Sequence, residues 1–223
     1  MTGARGVRPG LICEEGCGCR FGRRNAWVLS IDAEDHFFCC SDCGDAYLGR
    51  LETPTVAILR DHVRPGQTVA DLGCGSGFYT FRLADLVGPE GTVIAVDRDP
   101  RLVQRLREVQ AKRRSARNVH LRVSPAERLR GIASGTVDFL LSNNVLCCTD
   151  LRSESVGEIA RVLKPGGRAY LRASKILTQS ARPISDSEWD ALLSPFLSLR
   201  RGADASVRWA IVQRQGIPHS VRK

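Results

Sequence analysis

A glycine-rich segment flanked by an acid could bind a ligand where a predicted strand ends. It follows an apolar run and reads Val-Ala-Asp-Leu-Gly-Cys-Gly-Ser-Gly from residue 69 to residue 77. Glycines at such a turn let a ligand approach the backbone closely. The Gly73-x-Gly75-x-Gly77 spacing differs from the G-x-G-x-x-G pattern that seats a pyrophosphate on a helix N-terminus. The carboxylate of Asp71 would repel a diphosphate, so the segment predicts a ligand with a cationic amino group.

A second acid predicts the other half of this ligand. Asp97 ends the next predicted strand, 20 residues beyond Gly77. A carboxylate at this position accepts hydrogen bonds from a ribose diol. With Asp71, it predicts a nucleoside that carries a cationic group and no phosphate.

These residues need a parallel sheet to bring them to one edge. From Val69 onward, short apolar runs alternate with helical patterns, as in a doubly wound α/β fold. The predicted strands are Val69 to Leu72, Thr92 to Val96, Val119 to Val123, Val137 to Leu141 and Arg168 to Leu171. Apolar residues at helical spacing predict helices around 102–109 and 156–163, and a third helix around 187–193. Two further strands, 196–199 and 207–212, predict an antiparallel C-terminal hairpin on a Rossmann-like, mostly parallel, seven-stranded sheet.

Four segments in this order resemble the signature motifs of class I S-adenosylmethionine-dependent methyltransferases. They are Asp71-Leu-Gly-Cys-Gly-Ser-Gly77, Val93-Ile-Ala-Val-Asp97, Val137-Asp-Phe-Leu-Leu-Ser-Asn143 and Arg161-Val-Leu-Lys-Pro-Gly-Gly167. The resemblance covers about residues 54 to 213 and implies S-adenosylmethionine as cofactor. It implies a cofactor site made of Asp71, Gly73, Gly75, Gly77, Asp97, Arg98, Ala126, Glu127 and Asn143. Pro125 stands where the family often has an Asp for the adenine, so Ser124, the Ala126 backbone or Glu127 would replace that contact.

The acceptor side is predicted just after the fourth strand. Asn143 and Asn144 could hold a nucleophile or the cofactor, or could satisfy a turn with their own side chains. Cys147 and Cys148 follow, and adjacent cysteines usually include one buried thiol. This stretch is similar to that of arsenite methyltransferases, in which a metalloid-binding Cys directly follows Ser-Asn; here Asn144 occupies that position. The candidate catalytic residues are therefore Asn143, Asn144 and Cys147.

The first 52 residues predict a separate metal-binding module. Six of the nine cysteines lie there: Cys13, Cys17, Cys19, Cys39, Cys40 and Cys43. Thiolates at knuckle-like spacing favour zinc or another soft metal ion, and the segment after residue 37 resembles treble-clef-like modules of heavy-metal handling proteins. His36 lies close enough in the sequence to be a metal ligand, but it is interpreted as an exposed turn residue. Residues 1–52 carry a net charge of −2 and residues 53–223 carry +11, so the basic surface belongs to the predicted methyltransferase domain.

Composition excludes other classes and leaves three functions open. No stretch approaches the roughly 18 apolar residues of a membrane span, and the first ten residues lack a secretory apolar region, so a cytoplasmic protein is expected. The first hypothesis is a methyltransferase acting on a small-molecule or metalloid acceptor. The alternatives are a ribosomal or transfer RNA methyltransferase with a zinc docking module, and a non-catalytic, metal-responsive binding protein. The sequence does not determine the oligomeric state.

Overall fold

A computed structural model describes residues 11–12, 20–21, 26–31, 34–38, 53–111, 116–178 and 181–216. The chain divides into two compact units, Met1–Pro54 and Thr55–Lys223. The six predicted metal ligands, Cys13, Cys17, Cys19, Cys39, Cys40 and Cys43, lie outside the described residues. Among the helices that are described, none combines the length and the apolar character needed to cross a bilayer.

The described residues of the first unit form two short antiparallel strand pairs. Strand β1 (Leu11–Ile12) pairs with β2 (Arg20–Phe21), and β3 (Trp27–Ile31) pairs with β4 (Glu34–Phe38). His36 lies inside β4, opposite Leu29, and not in a turn. The turn prediction was wrong because the strand pairing already begins at Glu34, two residues before the histidine.

The second unit alternates helices and strands. Its elements, in chain order, are α1 (Pro54–His62), β5 (Thr68–Leu72), α2 (Phe78–Val87), β6 (Thr92–Asp97), α3 (Pro100–Ala111), β7 (Val119–Val123), β8 (Val137–Asn143), a 3-10 turn (Leu146–Cys148), α4 (Arg152–Val162), β9 (Leu163–Ser174), α5 (Asp186–Leu193), β10 (Phe196–Ala203) and β11 (Val207–Arg214). Each strand predicted from the sequence is present.

The seven strands β5 to β11 form one mixed sheet. Their order is β10-β11-β9-β8-β5-β6-β7. All neighbours are parallel except β11, which runs antiparallel to β9 and to β10. β6 and β7 follow β5 on one side, whereas β8 and β9 lie on its other side. The direction in which strands are added therefore changes between β5 and β8. In open α/β sheets, ligands bind beside the carboxyl ends of the strands at such a point.

Helices pack on both faces of the sheet, which explains why central strands such as β5 and β8 are almost fully buried. Helices α1, α2 and α3 pack on one face, with buried residues such as Leu59, Leu83 and Leu106. Helices α4 and α5 pack on the other face, where Ile159 and Trp189 are buried. Burial on both faces leaves the loops at the carboxyl edge as the place where polar side chains collect.

The Pro-Gly-Gly segment lies inside a strand and does not precede one. The sequence predicts a helix that includes Leu163 and a strand that starts at Arg168, whereas α4 ends at Val162 and Leu163 already pairs with Val137. The register then shifts between Val137 and Phe139. Gly167 allows this irregularity, since a Cβ there would lie 3.0 Å from the carbonyl oxygen of Val137. The local preference of the Pro-Gly-Gly segment predicted a break before the strand, but pairing with β8 extends β9 through these three residues.

Candidate functional site

A cavity of about 220 Å³ opens at the carboxyl edge of the sheet. The connections that follow β5, β6, β7 and β8 form its wall. It is lined by Leu72, Gly73, Val96, Asp97, Arg98, Ser124, Pro125, Ala126, Glu127, Asn143, Asn144, Val145, Cys148 and Thr149. Four parallel strands therefore bring together residues that span more than seventy positions of the sequence.

Most of the predicted site residues meet in this cavity. Those in its wall are Gly73, Asp97, Arg98, Ala126, Glu127, Asn143 and Asn144. Four others do not line it: Asp71 lies in β5, Gly75 and Gly77 belong to the turn that follows this strand, and Cys147 is buried. Cys148, which follows the catalytic candidate Cys147, does line the cavity.

The glycine turn adopts a backbone that only glycine accommodates easily. Gly73, Gly75 and Gly77 have φ angles of 73°, 51° and 87°, in the left-handed region that other L-residues rarely enter. Gly73 also allows a close approach, because a Cβ there would lie 2.4 Å from Cγ2 of Val145. The turn is anchored to β6, since the backbone N–H of Gly73 donates to the carbonyl oxygen of Val96 over 2.8 Å.

Asp97 faces the cavity and also holds the turn. Its Oδ2 accepts a hydrogen bond from the backbone N–H of Gly75 over 2.9 Å. Its Oδ1 accepts one from the backbone N–H of Asp99 over 3.0 Å. The carboxylate is thus fixed in orientation by two backbone donors while it borders the cavity, and each of its oxygens retains capacity for a further donor.

Asp71 is buried beneath the turn. Its carboxyl is 2% exposed and Oδ2 accepts a hydrogen bond from Oγ1 of Thr80 over 2.6 Å. Burial raises the pKa of Asp71 from 3.8 to about 7, with a smaller contribution from the charge of Asp97, while the Thr80 hydrogen bond acts in the opposite direction. The residue therefore packs under the cavity edge and does not line the cavity.

We expect this carboxyl to make stability depend on pH. Because its pKa is higher in the folded chain, the proton stabilises the native state at low pH, and that contribution is lost as pH rises from about 4 through 7. The difference corresponds to about 4 kcal/mol at 1.36 kcal/mol per pKa unit. Asp71→Asn keeps an acceptor for Thr80 but has no carboxyl to titrate. Between pH 5 and pH 8, the free energy of unfolding of the wild type should therefore fall relative to that of this variant.

Denaturant unfolding at four pH values in this range measures the effect. Asp85→Asn is the matched control, because Asp85 is exposed on the following helix. Parallel pH profiles for wild type and Asp71→Asn would show that the buried carboxyl does not titrate in this window.

The turn after β8 combines an unusual backbone with buried polar atoms. Asn144 has a φ of 59°, which Asn tolerates better than most residues. Its N–H donates to the carbonyl oxygen of Arg172 over 2.8 Å. Oδ1 of Asn143 accepts from the Arg172 guanidinium over 3.1 Å.

The side-chain oxygens of Asn144 and Ser142 are buried and find no hydrogen-bond partner within the described part of the chain. Buried polar atoms are normally satisfied, and of these two residues only Asn144 lines the cavity, where its oxygen could accept from a ligand.

Two thiols follow on the 3-10 turn. Cys147 is buried and Cys148 is partly exposed, and their sulfur atoms lie 3.9 Å apart. A hydrogen bond from the Cys148 thiol lowers the pKa of Cys147, and the same contact raises the pKa of Cys148. Of the two thiols, Cys147 is therefore the one whose ionisation this contact favours.

Two supporting residues were not predicted from the sequence. Thr80 supplies the hydrogen bond to Asp71 from the first turn of α2, and Arg172 orders Asn143 from β9. Arg172 left a signal, because a strongly basic residue interrupts the apolar run Ala169 to Ala173. Thr80 left none, since a threonine in an amphipathic helix has no distinguishing pattern.

Comparison with known proteins agrees with this geometry. A family described as "Methyltransferase domain" matches residues 64–193. An arsenite methyltransferase of Halobacterium salinarum is 40% identical over 143 residues, which cover 64% of this chain and 35% of that protein. A demethylmenaquinone methyltransferase of Lactococcus lactis is 33% identical over 103 residues, covering 46% of this chain and 40% of that protein. The chain spans about a third to a half of the length of the first curated relatives it matches.

The fold also matches solved structures. A SAM dependent methyltransferase from Aquifex aeolicus superposes with a TM-score of 0.61 at 22% identity, covering 75% of this chain and 97% of that one. This likeness concerns the fold, whereas the family match covers more than half of the sequence. The chain therefore belongs to the family of S-adenosylmethionine-dependent methyltransferase domains.

Proposed function

We propose that the chain binds S-adenosylmethionine in the cavity at the carboxyl edge and transfers its methyl group to a small-molecule or metalloid acceptor. The observation that carries the proposal is the position of Asp97, which ends β6 and borders the cavity together with Gly73, at the carboxyl edge beside the point where the winding direction changes between β5 and β8. A carboxylate there suits a ribose diol.

The cavity wall fits the separate parts of this cofactor. Asp97 would accept hydrogen bonds from the ribose hydroxyls. Ser124, Ala126 and Glu127 would surround the adenine in place of the aspartate that Pro125 replaces. The buried side-chain oxygen of Asn144, which has no partner among the described residues, would accept from the cationic amino group.

The residues of this chain have mainly to position the reactants. When bound, the cofactor supplies an activated methyl group on a positively charged sulfur. Alignment of an acceptor with that methyl group can account for several powers of ten in rate. Asn143, Asn144 and Cys147 are proposed for this role, with Arg172 fixing the amide of Asn143.

Two of the curated relatives favour a small acceptor. One is named for arsenite and another for demethylmenaquinone. An RNA acceptor, the alternative predicted from the charge of +11 on residues 53–223, would bind with strong salt dependence. The proposal also includes zinc, or another soft metal ion, bound by four of the six N-terminal cysteines; its support is their spacing in the sequence.

Titration calorimetry with S-adenosylmethionine tests cofactor binding. A transfer assay with a labelled methyl group, offered to arsenite, to a small-metabolite pool and to total RNA, with and without chelator, then tests the acceptor. We expect binding and transfer to a small acceptor. Protein that retains its far-UV spectrum and full metal content but does not bind the cofactor would overturn the proposal and favour a non-catalytic role.

A further inference from the structure

A second cavity, of about 340 Å³, lies on the connection between β7 and β8 and is open to solvent. Its lining includes three arginines, Arg128, Arg130 and Arg161, and two glutamates, Glu127 and Glu158. Glu127 also lines the first cavity, so the two cavities are neighbours on the same connection. The proposed methyl transfer makes no use of the second cavity.

The backbone beneath the second cavity is held in place by α4. Oε2 of Glu158 accepts a hydrogen bond from the backbone N–H of Leu129 over 2.7 Å. Nη1 of Arg161 donates to the carbonyl oxygen of Ile132 over 2.9 Å. Glu158 and Arg161 also form an ion pair of 2.6 Å with each other. This pair therefore fixes the backbone of the connection, and its own two charges cancel.

Three other arginines at this cavity have no such partner. Neither a hydrogen bond nor an ion pair joins the guanidinium groups of Arg122, Arg128 and Arg130 to another residue in the described ranges. All three residues are exposed. Glu127 offsets one of their three charges, so these groups leave a local charge of +2.

Arg122 comes from the edge strand β7 and reaches the cavity by lying against a glycine. Its Nη1 lies 2.8 Å from the position that a Cβ on Gly131 would occupy, and Gly131 lines the cavity. Gly131 has a φ of 75°, which favours glycine. The absent side chain thus leaves room for a guanidinium group beside the cavity.

The chemistry of these groups favours a compact ligand with several negative charges. A guanidinium is a planar fork of N–H donors that matches the oxygen atoms of phosphate. An extended nucleic acid needs positive charge along several successive phosphates. Here the carboxylates of Glu127 and Glu158 border the same cavity and confine the positive charge to a small area. A short run of phosphates therefore suits the cavity better than RNA.

We propose that Arg122, Arg128 and Arg130 bind a small ligand with a diphosphate or triphosphate group in this second cavity. The inference goes beyond the proposed function and does not depend on it, because S-adenosylmethionine carries no phosphate. A volume of about 340 Å³ lies in the range of small-molecule sites. The three guanidinium groups would donate to the phosphate oxygens from a backbone that is already fixed.

Titration calorimetry of the whole chain with inorganic pyrophosphate tests the proposal. We expect one pyrophosphate per chain, with an affinity that falls as the salt concentration rises. Loss of a hydrogen bond to a charged group weakens binding by about tenfold or more. The double variant Arg128→Gln/Arg130→Gln should therefore raise the dissociation constant by about 100-fold. Arg201→Gln is the matched control, because Arg201 pairs with Asp190 at the opposite edge of the sheet.

Gly131→Ala tests the placement of Arg122 without removing a charge. The new Cβ would displace the guanidinium group, so pyrophosphate should bind about tenfold more weakly. Gly66→Ala is the control, because Gly66 has a similar φ of 79° and no atom within 4 Å of a Cβ at that position. It should bind pyrophosphate as the wild type does.

Three results would each overturn the inference. The first is wild-type protein that does not bind pyrophosphate, and the second is equal dissociation constants for the wild type and the double variant. The third is a single-stranded RNA that binds more tightly than pyrophosphate and displaces it. Because surface substitutions of this kind change stability little, the double variant should unfold at the same denaturant concentration as the wild type, which separates lost binding from lost folding.

Calorimetry with S-adenosylmethionine on the same preparations separates the two proposals. Cofactor binding without pyrophosphate binding removes the phosphate site and leaves the methyltransferase function. Pyrophosphate binding without cofactor binding removes that function and leaves the phosphate site.

Discussion

Replacing Asp97 with alanine should weaken the binding of S-adenosylmethionine by about 100-fold or more. The change removes the acceptors proposed for the ribose hydroxyls and, in addition, the two backbone hydrogen bonds to Gly75 and Asp99. A hydrogen bond to a charged group contributes about 1.5 to 3 kcal/mol. Since a tenfold change in affinity corresponds to about 1.4 kcal/mol, two or more such losses give this magnitude.

Asp99→Asn is the matched control for this experiment. It removes a neighbouring charge but keeps the backbone N–H that donates to Asp97. Titration calorimetry on both variants should show a large loss of affinity for Asp97→Ala and a small one for Asp99→Asn. An unchanged dissociation constant for Asp97→Ala would exclude Asp97 from the cofactor site.

Gly73→Ala is expected to reduce both stability and cofactor binding. A Cβ at φ 73° is disfavoured by about 1 to 2 kcal/mol. It would also lie 2.4 Å from Cγ2 of Val145, and overpacking of this kind costs about 1 to 3 kcal/mol. We expect a loss of about 3 kcal/mol in the free energy of unfolding and a strong loss of affinity, since both residues line the cavity.

Two further variants separate the effect of the backbone conformation from the effect of the clash with Val145. Gly66→Ala measures the effect of backbone conformation alone, because Gly66 has a φ of 79° and no atom within 4 Å of a Cβ at that position. Gly73→Ala combined with Val145→Ala removes the clash and should recover about half of the lost stability. Denaturant unfolding measures all three proteins. If Gly73→Ala were at least as stable as Gly66→Ala, the close approach of Gly73 to Val145 would be contradicted.

The sequence predicted the sheet and the cavity edge well, for a physical reason. Buried parallel strands are short apolar runs, and their carboxyl ends meet at one edge, so residues that follow each run gather there. This reasoning predicted that Gly73, Asp97 and Asn144 lie at one edge, whereas Glu127 was predicted only from the resemblance to methyltransferase motifs. It also predicted the antiparallel C-terminal strands, although β9 begins earlier than its pattern indicated.

The sequence did not indicate which side chains near that edge are buried and which face the cavity. Whether Asp71 faces the cavity or lies beneath the turn depends on the path of the backbone over three glycines and on a hydroxyl from α2. The choice between Cys147 and Cys148 depends on the phase of a single 3-10 turn. Spacing along the chain does not encode either quantity, because each depends on contacts with other elements.

The position of β11 has a consequence for the order in which this sheet can form during synthesis. β11 lies between β9 and β10, so the last of these seven strands to be synthesised joins two strands made before it. Until residues 207–214 leave the ribosome, β9 presents an unpaired edge next to buried apolar residues such as Tyr170 and Leu171. An open edge of this kind invites pairing with other chains. A nascent chain stopped just before Val207 should therefore be more prone to aggregate than one extended to Arg214, even though every residue in the wall of the cavity has already been made.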